Sequence, residues 1–120
     1  LSIKPFPKSK IQRMRRFAQV IRVKPEKLDY YLELHRNPWS GVLDTIRQCN
    51  IRNYSIFLLD NSMLFAYFEY IGTDFEADMQ KMSTDPETIR WWKETDPCQE
   101  SLGIKAGEWW HTMEEVFHTD

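Results

Sequence analysis

The sequence predicts an α+β fold, a ferredoxin-like β-α-β-β-α-β sandwich on an antiparallel sheet. Three observations predict it. Four segments of strand length are apolar or alternate, and two stretches between them repeat apolar residues every three to four positions. A turn triplet joins the second and third strands. At 120 residues the chain suffices for one domain with its own core.

The first strand is expected over 17–23, with Phe17, Gln19, Ile21 and Val23 on one face and Ala18, Val20 and Arg22 on the other. Pro25 suits the first position of a helix, where no N–H is needed. From there Leu28, Tyr31, Leu32, His35, Trp39, Val42, Leu43 and Ile46 keep helical spacing, which predicts one amphipathic helix bent at Asn37-Pro38. Residues 51–59 and 63–71 read as a hairpin closed by Asp60-Asn61-Ser62. Thr73 with Glu76 predicts a capping box opening a short helix through Phe75, Met79 and Met82. Asp85 followed by Pro86 predicts a second start, for a helix carrying Trp91 and Trp92. Residues 96–107, with Pro97, Gly103 and Gly107, read as loop, and 109–118 as the last strand.

Helices cover one face of such a sheet, yet several strands are apolar on both. Met63, Phe65 and Tyr67 oppose Leu64, Ala66 and Phe68, and Trp109, Met113 and Phe117 oppose Trp110 and Val116. A second copy of the chain is the simplest cover, so a homodimer is expected.

Sixteen basic against eighteen acidic side chains leave a formal charge of −2, so neither nucleic acid nor a membrane surface is expected as a partner. The distribution is uneven. Residues 1–16 hold six basic groups (Lys4, Lys8, Lys10, Arg13, Arg15, Arg16) and no acidic one. This arm is expected to be flexible: a solvated tail, a contact for an anionic partner or a remnant of a targeting sequence. Because the chain opens on Leu1 rather than Met, a native start upstream is expected. The domain proper is expected over 17–120. No apolar run reaches the length of a membrane helix, and two cysteines cannot make a disulfide framework; both point to a cytoplasmic protein. Four glycines, at 41, 72, 103 and 107, supply no phosphate-cradling loop.

The three histidines (35, 111 and 118) have no ligand spacing, and no HExxH, CxxC or clustered carboxylate set occurs, so no metal or other cofactor is expected. Cys49 ends an apolar helix and reads as core. His35 is the informative residue. It shares the apolar stripe of Leu28, Tyr31 and Leu32, where a histidine is most often a hydrogen-bonded core residue. Tyr31 one turn earlier puts a phenol beside the imidazole, and the helix break after it can open the sheet face to a ligand. Imidazole can take up and release a proton near neutral pH. Trp91 and Trp92 diverge by about 100° on a helix, so one enters the core while the other is exposed or lines a pocket, where an indole can hold the C–H face of a sugar. Tyr54 points away from Asn53 and Ser55, toward the face of Ile56 and Leu58. Trp109 and Trp110 read as core and interface.

Together these residues resemble the L-rhamnose mutarotase family. The resemblance runs from Phe17 to Asp120 through Tyr31-x-x-x-His35, Trp39, Asn53-Tyr54-Ser55-Ile56-Phe57-Leu58, Leu64-Phe65-Ala66-Tyr67-Phe68-Glu69, Arg90-Trp91-Trp92 and Met113-x-Glu115-Val116-Phe117-His118-x-Asp120. It implies a dimeric ferredoxin-like isomerase that interconverts the α and β anomers of L-rhamnose without a cofactor. In that family His35 matches the proton-donating histidine, and Tyr31, Tyr54, Trp91 and Trp92 match sugar-contacting positions. The segment Arg36-Asn37-Pro38-Trp39-Ser40-Gly41 departs from the family pattern by shifting the proline and adding a charge. Two other readings fit the residues: a sugar-binding or regulatory dimer without catalysis, and a cofactor-free oxygenase-type dimer that the fold alone suggests.

Overall fold

A computed structural model describes residues 14–120. Most of the basic arm expected over 1–16 therefore lies outside the described residues. The elements are β1 (Arg15–Val23), α1 (Leu28–Arg36), α2 (Ser40–Gln48), β2 (Ile51–Leu59), β3 (Met63–Tyr70), α3 (Phe75–Ser83), α4 (Pro86–Thr95), β4 (Gln99–Glu100) and β5 (His111–Met113). Single 3-10 turns at Pro25–Lys27 and Asp96–Cys98 precede α1 and β4. The fold is α+β, an antiparallel sheet with four helices.

Strand β1 is central. It pairs with β3 along its length, from Arg15↔Tyr70 to Arg22↔Met63. Its other edge is shared by two short pieces, β4 at Arg22↔Glu100 and Val23↔Gln99, and β5 from Ala18↔Met113 to Val20↔His111. The long last strand expected over 109–118 is thus three residues, and the preceding loop contributes an unexpected strand. An edge strand bonded on one side, and interrupted by turns at Gly103 and Gly107 (φ 69° and 78°), keeps only the pairs that β1 dictates.

The hairpin forms as expected. Asp60 and Asn61 take φ of 52° and 55°, left-handed conformations that Asn and Asp tolerate, and the Ser62 N–H donates to the Leu59 carbonyl within the three-residue loop between the paired Leu59 and Met63. Within β2 the register slips between Arg52 and Ser55, with Asn53 at φ 51°. This bulge inserts one residue, so Ile51 and Tyr54, which strict alternation would separate, both face the helices.

Three local expectations change. The bent helix is two helices, because Pro38 removes an N–H and pushes Asn37 out of helical geometry. The cap of α3 is Asp74 rather than Thr73: its carboxylate accepts from the Ala77 N–H, while its own N–H donates to the Tyr70 hydroxyl. Strand β1 begins two residues early, taking Arg15 and Arg16 out of the arm. Asp85 does cap α4, accepting from both the N–H and the hydroxyl of Thr88.

The core lies between the sheet and the helices in two clusters. One joins Ile21, Val23 and Leu64 to Leu28 and Tyr31 of α1 and to Cys98. The other joins Ile51, Phe68 and Tyr70, with Phe17, Ile46, Phe75, Met79 and Met82 packed around them. The Tyr30 hydroxyl donates to Glu94, tying α1 to α4. On the opposite sheet face Met63, Phe65 and Tyr67 are only half-buried and Phe57 is 62% exposed. Beyond β5, Val116 and Phe117 are 87% and 79% exposed.

Candidate active site

The helices and the sheet enclose a cleft of about 910 Å3. Its wall is mostly apolar, and its polar groups come from β1 (Gln19), α1, β2, α4 and the segment after it. All five residues singled out from sequence line it: Tyr31, His35, Tyr54, Trp91 and Trp92.

Helix α1 carries the first two. One turn apart, the Tyr31 and His35 rings lie 4.3 Å between centroids, tilted by 33°. Tyr31 is buried and His35 half-buried. His35 Nδ1 is 2.7 Å from the Tyr31 backbone carbonyl. A carbonyl oxygen only accepts, so Nδ1 carries the hydrogen and the neutral ring keeps a lone pair at Nε2. Burial pushes the imidazole pKa below 6.5, against the smaller opposing effect of that carbonyl bond. At neutral pH His35 is therefore an uncharged ring with a free basic nitrogen.

Helix α4 supplies the indoles, and the adjacent pair divides as the 100° step requires. Trp91 is 8% exposed, with its ring 5.2 Å from His35 at 72° and 5.2 Å from Trp39 at 78°. It packs edge-on against both and fixes the imidazole plane. Trp92 is 36% exposed and presents an open ring to the cleft. From the sheet, the bulge in β2 delivers Tyr54, whose ring lies 5.6 Å from Phe68.

Sequence reasoning did not reach several groups. Gln99, read as loop, is 4% exposed and donates from Nε2 to the Tyr31 hydroxyl at 3.3 Å. Trp109 and Trp110, read as core and interface, both line the cleft, Trp110 also packing against the core cluster around Ile21 and Leu64, and neither belongs to a strand. Trp109 reaches its position because its Nε1 donates to Gln99 Oε1 at 2.9 Å. Asp96 stands at the rim. The available signal was a glutamine next to a cysteine in a chain segment otherwise polar and loop-like, which is too little to find it. The remaining histidines are elsewhere: His111 pairs with Glu108 at 2.7 Å and His118 with Asp120 at 2.9 Å. Among the described residues no group of three or more His, Cys, Asp or Glu could hold a metal ion, and no helix is long and apolar enough to cross a membrane.

Residues 16–119 match the family described as L-rhamnose mutarotase, which is most of the chain. The chain belongs to that family. An L-rhamnose mutarotase of Oceanobacillus iheyensis is 29% identical over 107 residues, covering 89% of this chain and all of the relative. One from Bacillus subtilis is 29% identical over 89 residues, covering 73% of this chain and 83% of the relative. The crystal structure of an L-rhamnose mutarotase from Formosa agariphila superposes with a TM-score of 0.68 over 88% of this chain and 99% of that one; at 19% identity it speaks for the fold. Membership of the L-rhamnose mutarotase family agrees with the resemblance read from the sequence.

Proposed function

We propose that the protein is an L-rhamnose mutarotase, a cofactor-free isomerase that interconverts the α and β anomers of L-rhamnose or a related sugar. The observation that carries this reading is the convergence of an acid/base imidazole, two phenols and two indoles from three separate elements on one apolar cleft. Opening a pyranose moves one proton from the anomeric hydroxyl to the ring oxygen. Both oxygens sit on the same carbon, so a single imidazole can serve them in turn. His35 Nε2 takes the proton from the anomeric hydroxyl as the C1–ring oxygen bond breaks and the aldehyde forms. The imidazolium then protonates the ring oxygen. After rotation about C1–C2, the reverse steps close the other anomer. Tyr31 and Tyr54 hold sugar hydroxyls, Trp91 holds His35, and the Trp92 face carries the apolar side of the sugar, including its methyl group.

The domain over 17–120 carries this activity, and its strand order supports the ferredoxin-like assignment. The half-covered outer face, with Phe57, Phe65 and Tyr67, supports a homodimer. Cys49 and Cys98 are buried free thiols, which suits the reducing cytoplasm.

Saturation-transfer NMR on the anomeric protons of L-rhamnose tests the reaction. Saturable acceleration over buffer is expected, with L-fucose, L-lyxose and D-mannose ranking the sugar preference. Exchange at the buffer rate, with binding still visible, would replace the reading by a sugar-binding dimer. Sedimentation velocity at micromolar concentration should give the mass of two chains; a single-chain mass refutes the dimer.

A further inference from the structure

The buried contact among Tyr31, Gln99 and Trp109 has a direction that chemistry settles. An indole N–H can only donate, so the Gln99 atom 2.9 Å from Trp109 Nε1 must be the carbonyl oxygen. The other end of the amide, 3.3 Å from the Tyr31 hydroxyl, is then the NH2 group, which can only donate. Tyr31 oxygen accepts that bond, and its own hydrogen is left for a partner elsewhere. Burial pushes the phenol pKa well up, so the hydrogen stays in place at any working pH.

We propose that Gln99, locked by the Trp109 indole, is a positioning residue that commits the Tyr31 hydroxyl to donate into the cleft, onto a sugar oxygen. The role falls to Tyr31 because of what surrounds it. Gln99 and Tyr31 are 4% and 2% exposed, so neither amide nor phenol can trade this bond for bulk water. Trp109 sits in the loop between β4 and β5 and lines the cleft, so the lock that orients the phenol is itself part of the cleft wall. With Tyr31 as donor and His35 Nε2 as acceptor, two neighbouring groups on one helix offer opposite polarities to one ligand. A hemiacetal presents both a hydroxyl that gives a proton and a ring oxygen that receives one. In a protein with the amide reversed, Tyr31 would spend its hydrogen on Gln99 and offer the ligand only a lone pair.

For its effect on turnover the proposal rests on the mutarotase reading; the hydrogen-bond direction does not. Side-chain amide NMR on the 15N-labelled protein reads the direction itself. Tyr31→Phe removes the acceptor of Gln99 Nε2, so one Gln99 side-chain amide proton should move upfield and exchange faster with water. Gln99 amide protons that stay where they are overturn the proposal. In the exchange assay Gln99→Met, similar in length but without an amide, should lower kcat/KM about tenfold, the worth of one hydrogen bond. The same change in a Tyr31→Phe background should have no further effect, since Gln99 acts through that hydroxyl. Equal losses in both backgrounds mean a packing role and overturn the proposal. If Gln99→Met does not fold, Trp109→Phe, which unlocks the amide, replaces it with the same expectation in the two backgrounds. Wild type exchanging at the buffer rate sinks the mutarotase reading instead, and the amide protons still decide the direction of the bond.

Discussion

Replacing His35 with alanine is expected to cost roughly a hundred- to ten-thousand-fold in the rate of anomer exchange, the usual worth of a positioned acid/base group. Saturation transfer on L-rhamnose should then return to its value in buffer. Binding should survive, because Tyr31, Tyr54 and Trp92 remain in the wall. His35→Gln should fail equally, which separates loss of a titrating nitrogen from loss of ring volume. The pH profile carries the same argument with a defined sign. The proposed working form is the neutral ring, with Nδ1–H held by the Tyr31 carbonyl and Nε2 basic. Burial favours that uncharged form and moves the pKa below 6.5. The enzyme's contribution, after subtraction of the buffer rate, should therefore be flat through neutrality and fall only as pH drops through a midpoint under 6.5. A contribution that rises on acidification past that point would mean the imidazolium is the resting form, against the geometry at Nδ1.

How much of this was legible beforehand depends on the range of the interaction. The Tyr31–His35 pair and the division of Trp91 from Trp92 follow from local periodicity, since helical spacing sets which side chains share a face. Tyr54 was legible in direction relative to Ile56. The bulge at Asn53 that brings Ile51 to the same side was not, because a register slip is a property of the β2–β3 pair. The edge of the sheet was least legible. β4 and β5 exist because β1 offers unpaired backbone groups, and nothing in residues 99–100 alone announces a strand. Gln99 fails to show for the same reason: its partner Tyr31 is 68 residues away. The helix break at Asn37-Pro38 was visible as a bend, while its outcome, two separate helices, depends on α2 packing against α4 and β2.

Trp91→Ala should be the most damaging substitution to the fold and should separate the two indoles by function. Trp91 is 8% exposed and packs edge-on to both His35 and Trp39. Truncating a buried tryptophan costs about 3–5 kcal/mol, a large share of the roughly 5–15 kcal/mol that holds a domain together. Urea unfolding should show the unfolding free energy lowered by that amount and the midpoint shifted down in proportion, and kcat should fall because the imidazole plane loses its wall. Trp91→Phe keeps an aromatic edge against His35 and should recover part of both. Trp92 has the opposite profile. At 36% exposure its truncation leaves little cavity, so the unfolding midpoint should barely move. What it removes is the ring proposed to carry the sugar, worth about 0.5–1.5 kcal/mol, so KM should rise roughly two- to tenfold with kcat nearly intact. If Trp92→Ala lowered kcat while Trp91→Ala raised only KM, the assignment of the buried indole to the catalytic ring and of the exposed one to the sugar would have to be exchanged.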